Sequence, residues 1–173
     1  MRKTTAAAGT SLFFAVAPGV VAGLIPWLLT DWRVRGAETW PLSRLVGLFM
    51  LAAGAGALIG AFARFVVEGL GTPAPVAPTE HLVVGGLYRY VRNPMYTAVV
   101  ATILGQALVL GQPVLLAYAV LVAGTVAAFV HLYEEPTLSR RYGAQYDAYR
   151  ATVPRWLPRR RPRTSDKEDS AEP

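Results

Sequence analysis

The chain has 173 residues, 53% of them hydrophobic and 16% charged, with a mean hydropathy of +0.35. That charge share lies well below the roughly 25% usual for soluble domains, and the hydrophobic share is too high for a disordered chain. The formal charge is +6, with no cysteine and two histidines, His81 and His131; a disulfide framework, a catalytic thiol and an iron–sulfur cluster are excluded, and no metal centre is expected.

Four stretches are long enough to cross a bilayer, which takes roughly 20 mainly apolar residues. The first covers about residues 11–29. Met1-Arg2-Lys3 and the small residues Ala15-Val16-Ala17 imitate a cleavable signal. The apolar run continues past Ala17, however, to Trp27 and Trp32, an interfacial aromatic flank, so an uncleaved span is expected. Pro18 and Pro26 are tolerable where neighbouring helices satisfy the carbonyls they free.

The second span covers about 45–67 and is rich in small residues. Gly56 and Gly60, four apart, offer one face for close backbone approach, either inside the bundle or to a second copy in a homodimer. A Pro-rich connector, Gly71 to Pro78, follows. The third span, about 94–110, opens at Asn93, a good N-cap, and Pro94, a good first-turn residue. Gly111, Gln112 and Pro113 then form a tight turn, with Gln112 as its polar tip. The fourth span runs over about 114–133.

Beyond it, residues 136–152 carry Leu138, Tyr142, Tyr146 and Tyr149 three or four apart, interleaved with arginines. This predicts an amphipathic helix at the membrane interface, either an anchor or the lining of a site. Residues 164–173 read as a disordered charged tail, leaving 1–163 as one all-α integral membrane domain. Most Lys and Arg fall before the first span, in the loop after the second and after the fourth. The positive-inside rule places both termini and that loop in the cytoplasm, as in a multi-pass protein of the inner (plasma) membrane. The bilayer itself is the expected partner, and nucleic acid is not.

Two clusters on that face carry chemistry. Arg92-Asn93-Pro94 sets a positive helix start beside a planar guanidinium, which suits a carboxylate; alternatively, Arg92 snorkels to headgroups. Glu134 and Glu135 close the fourth span. Two carboxylates there oppose the helix dipole and need a cationic partner: Arg92, Arg140 or a ligand. Glu135 can also cap the following helix at Pro136. Together the clusters suit a zwitterion bearing a carboxylate and an ammonium.

At these residues the sequence resembles the isoprenylcysteine carboxyl methyltransferase family and its bacterial and phospholipid methyltransferase relatives. The matching pattern is Leu82-Val83-x-x-Gly86-x-Tyr88-x-x-x-Arg92-Asn93-Pro94-x-Tyr96. Glu134-Glu135-x-x-Leu138 follows, then Tyr142-Gly143-x-x-Tyr146-x-x-Tyr149-x-x-x-Val153-Pro154. The resemblance implies a membrane enzyme using S-adenosylmethionine, with an amphipathic acceptor entering from the lipid. By position it implies cofactor contacts at Glu80, His81, Leu82, Val83, Tyr88, Asn93, Pro94, Met95, Tyr96, Glu134 and Glu135. Arg92, Glu134 and His131 would serve the reaction, with His131 as an acceptor contact. Eukaryotic members usually have His-Pro at Asn93-Pro94, and often His at Glu80. Prenylcysteine enzymes carry an arginine where this chain has Val130, which weighs against that acceptor. Two other classes stand beside this one: a non-enzymatic scaffold using the small-residue span and basic tail, and a sterol-type reductase, whose nicotinamide cofactor needs more phosphate-binding cations than Arg89 and Arg92.

Overall fold

The computed structural model describes residues 16–36, 41–68 and 82–163. Helix α1 spans Val16–Thr30, α2 Pro41–Glu68, α3 Pro94–Leu110 and α4 Pro113–Phe129. After a π-helical turn, Val130–Glu134, come α5, Glu135–Tyr142, and α6, Ala144–Thr152. No strand occurs among the described residues.

Helix α3 is the centre. It packs along α2 on one side, against α4 on another, and against the middle of α1. Its inward residues Ala98, Val99, Ile103, Ala107 and Leu110 are buried. The outer helices instead expose large apolar side chains, such as Phe49 (74%) on α2 and Val120 (72%) on α4. Apolar faces of this extent mark a surface that meets lipid or another protein. Two helices, Pro41–Ala61 within α2 and the continuous Pro113–Tyr142, are long and apolar enough to cross a membrane; α1 and α3 are apolar but shorter.

Helix α3 starts and stops where the sequence places the expected third span, at Pro94 and at Gly111, whose φ of +64° ends the helix in the left-handed conformation. Gln112 is not a polar tip. It is buried, and its Nε2 donates to the Arg33 carbonyl at 2.7 Å, tying the hairpin to the segment after α1. The close helix approach also lies elsewhere than expected. A Cβ on Gly47 would meet the Gly105 carbonyl at 2.8 Å, and one on Gly54 would meet Thr102 Oγ1 at 2.5 Å. These residues press α2 onto α3, whereas a Cβ on Gly56 would meet nothing within 4 Å.

Two prolines shape the helices in the same way. Pro26 and Pro136 each sit two residues beyond a π-helical turn, Val20–Leu24 and Val130–Glu134. A proline has no N–H for the carbonyl four residues back, and its ring crowds that carbonyl; a widened turn accommodates both effects. In α1 the carbonyls of Val21 and Ala22 find side-chain donors instead, Tyr118 Oη at 2.9 Å and Gln106 Nε2 at 2.7 Å. This is the neighbouring-helix compensation expected for Pro26.

At Pro136 the outcome differs from the sequence reading. The fourth helix does not end at Tyr133: it passes through the π-turn and continues to Tyr142. The single helix expected over 136–152 is broken at Gly143, whose φ of +53° and ψ of −130° suit glycine. Beyond α6, residues 153–163 form an irregular strap that turns back over the loop before α3. The expected start of the first span at 11–15, the second-span connector and the tail at 164–173 lie outside the described residues.

Candidate active site

The loop enters as Leu82-Val83-Val84, makes a 3₁₀ turn at Gly86–Arg89 and delivers Arg92 and Asn93 to the start of α3. Backbone pairing with the strap fixes its path. Arg92 N–H donates to the Pro154 carbonyl at 2.9 Å, and Arg159 N–H to the Tyr90 carbonyl at 3.0 Å. At the far end Arg163 N–H donates to the Arg89 carbonyl at 3.1 Å, while Arg89 Nε donates back to the Arg163 carbonyl at 2.8 Å. Asn93 does not cap α3 with its side chain. Its Nδ2 donates to the Arg155 carbonyl at 3.1 Å, a further clasp on the strap.

The face of α6 that carries Tyr146 and Tyr149 is not turned to the interface. Both are buried, with Val153, against Leu82, Val84, Leu138 and Tyr142. Tyr149 Oη donates to the Tyr88 carbonyl at 2.8 Å. Val83 and Tyr88 pack with Ala61 of α2 and with Met95. The loop is thus held between α2 below and α6 with the strap above.

Inside this frame the two charged clusters meet. Arg92 Nη1 lies 2.8 Å from Glu135 Oε1, with the two side chains only 10% and 8% exposed. Arg92 therefore does not snorkel, and Glu135 caps nothing. Arg155 takes Glu135 with both ends of its fork, Nε to Oε1 at 2.9 Å and Nη2 to Oε2 at 2.6 Å. The Arg92 approach is close but poorly aligned: its Nε and Nη1 have no hydrogen-bond acceptor. The contact with Glu135 is one of charge rather than a directed bond. One position earlier on the helix, Glu134 Oε2 accepts from Tyr96 Oη at 3.0 Å. The widened turn brings both carboxylates to the start of α3, against Arg92 and Tyr96 respectively.

Burial holds the phenols outside the helical spans protonated. Tyr149 is pushed above its ordinary 10.0, chiefly by burial and against the pull of Arg92. Tyr88 is raised well above it by burial first and the field of Glu134 second. Both folded values exceed the unfolded one, so their contribution is complete below pH 10 and is lost as pH rises beyond it. The thermal midpoint is expected to fall between pH 10 and 11.5 in the wild type, and less steeply in Tyr149→Phe. Equal slopes would remove Tyr149 from the account.

Of the residues expected to form the site, Leu82, Val83, Tyr88, Arg92, Asn93, Pro94, Met95, Tyr96, Glu134 and Glu135 are brought to this loop and its contacts. His131 is not brought into the cluster: it is exposed, beside Leu132 at 73%. Glu80 and His81 lie outside the described residues. Arg155 is not among the expected site residues, whereas Tyr146 and Tyr149 belong to the helix expected either to anchor or to line a site, and they pack on the loop. The tyrosines show in the three-and-four spacing. The signal for Arg155 was Glu135 itself, a buried carboxylate needing a cation. No group of His, Cys, Asp and Glu among the described residues suits a metal.

A family model described as phospholipid methyltransferase matches residues 42–145, more than half of the chain, in line with the resemblance read from the motifs. No curated protein and no solved structure matches. The matched segment stops before Tyr146, so the part played by α6 and the strap rests on geometry alone.

Proposed function

The chain belongs to the phospholipid methyltransferase family, a family of methyltransferases acting on lipid-like substrates, and from that we propose that it moves a methyl group from S-adenosylmethionine to an amphipathic acceptor at the cytoplasmic membrane face. The observation that carries this reading is the meeting of Arg92, Glu135, Tyr96 and Glu134 between the start of α3 and the π-turn.

The residues present fit the methyl donor. Its amino-acid end is a zwitterion, and two arginines face two glutamates here. Arg92 has unfilled donors at Nε and Nη1, buried where an unpaired donor is costly; a carboxylate satisfies them. Glu134 takes the Tyr96 hydroxyl on Oε2, and its carboxylate has a second oxygen, Oε1. That oxygen can accept from an ammonium or a hydroxyl. Tyr88 and Tyr96 offer ring faces to a cation.

When bound, S-adenosylmethionine supplies an electrophilic methyl on a sulfonium. The protein's work is then orientation and exclusion of water. Arg92 holds the carboxylate, Glu134 holds a polar or cationic part, and α6 with the strap closes the loop from above. The acceptor would be a lipid-associated carboxylate, thiol or amine reaching the site past the exposed apolar helix faces. In this reading α1 to α4 all cross the inner membrane, with the loop and strap on the side where the arginines gather.

The test uses the full chain purified in detergent, with methyl-labelled S-adenosylmethionine and a membrane lipid extract. Saturable binding and label in an organic-extractable product are expected, and NADPH should not compete. Absence of saturable binding would overturn the reading.

A further inference from the structure

We propose that Arg155 is a positioning residue for the carboxylate end of the methyl donor, acting through Glu135 upon Arg92; this rests on the reading above. Glu135 has two oxygens and two cationic neighbours. Arg155 occupies both oxygens with a fork of aligned bonds, at 2.9 and 2.6 Å. Arg92 stands as near, 2.8 Å from Oε1, yet its Nε and Nη1 remain without an acceptor. A guanidinium nine-tenths buried with unfilled donors is an anion-binding group held in readiness.

The alternative arrangement is plain. Without Arg155, Glu135 is free to turn and take Arg92 bidentately, filling the donors that the ligand's carboxylate would use. Arg155 prevents this by competing for the same carboxylate. Its own place is fixed by its neighbours: the Asn93 side chain donates to the Arg155 carbonyl, and Arg92 N–H donates to Pro154. The strap and Arg92 are therefore set by one another.

The experiment compares two ligands on the purified full chain. S-adenosylhomocysteine carries the amino-acid end, and 5′-methylthioadenosine lacks it. Arg155→Gln is expected to weaken the first by about ten- to hundredfold, the range of a charge-assisted bond, and to leave the second unchanged. Arg155→Lys keeps the charge but cannot span both oxygens, so it shows the same selective loss and carries the comparison if Arg155→Gln fails to fold. In an Arg92→Ala background neither substitution changes the ratio of the two affinities further. Equal losses for both ligands would make Arg155 merely structural and overturn the proposal, as would no loss at all. Failure of the wild type to bind either ligand would overturn the methyl-donor reading and this proposal with it.

Discussion

Glu135→Ala is expected to lower the unfolding free energy by about 3 kcal/mol, the low end of the range for removing one partner of a buried ion pair. The expectation follows from what stays behind. Arg92, 10% exposed, loses its nearest anion in a place water does not reach. Arg155 is 36% exposed and can turn outward to hydrate, which keeps the loss from the upper end of the range. The strap then loses its side-chain anchor on the helix, though its backbone bonds to the loop remain. Glu134→Ala removes the hydrogen bond from Tyr96 to a carboxylate, about 1.5 kcal/mol at the low end of the range for a charged acceptor. Thermal midpoints in detergent should therefore separate two adjacent glutamates, with Glu135→Ala below Glu134→Ala. A Glu135→Ala protein as stable as the wild type would mean that the buried cations do not depend on it.

The third helix was legible because local chemistry sets both its ends. Pro94 fits a first turn, where its missing N–H costs nothing, and Gly111 adopts the left-handed conformation that stops a helix. The fourth was misread for a related reason. Glu135-Pro136 looks like a new helix start, and only the three-dimensional choice of a π-turn lets the helix absorb the proline. The same device at Pro26 depends on Gln106, 80 positions further on, whose amide meets the Ala22 carbonyl. Local sequence shows that a proline must be compensated and not what compensates it.

The site divides along the same line. Arg92, Asn93, Tyr96, Glu134 and Glu135 were legible as chemistry next to helix ends. Their pairing was not, because it depends on how the loop is clamped. Asn93 has the side chain of an N-cap, but a cap accepts through Oδ1, and here the amide is turned so that Nδ2 donates to the Arg155 carbonyl of the strap while no cap bond forms. Arg155 reads in the sequence as one of many basic residues after the fourth span. Only the path of the strap back over residues 89–92 separates it from Arg159 to Arg161. Tyr146 and Tyr149 show their periodicity, but an amphipathic pattern does not say whether its apolar side meets lipid or protein. Here it meets the loop.

Arg92→Ala and Glu134→Ala are each expected to weaken S-adenosylmethionine binding by about ten- to hundredfold, the loss of one charge-assisted contact apiece. The two should differ in kind. Arg92→Ala removes the donors without acceptors at Nε and Nη1, so it should cost S-adenosylhomocysteine far more than 5′-methylthioadenosine, and it also strips Glu135 of a neighbour and lowers the thermal midpoint. Glu134→Ala should weaken binding with a smaller change in midpoint than Glu135→Ala, since its side chain is less buried than Glu135 and is held by Tyr96 rather than by two arginines. Glu134→Gln refines the point: its amide oxygen still accepts from Tyr96, so the hydrogen bond survives and the charge does not. Weak binding by Glu134→Gln would assign the carboxylate's charge to a cationic part of the ligand; binding at the wild-type level would assign it only a hydrogen bond. Unchanged affinity in both Arg92→Ala and Glu134→Ala, measured on folded protein, would place the methyl donor somewhere other than between the start of α3 and the π-turn.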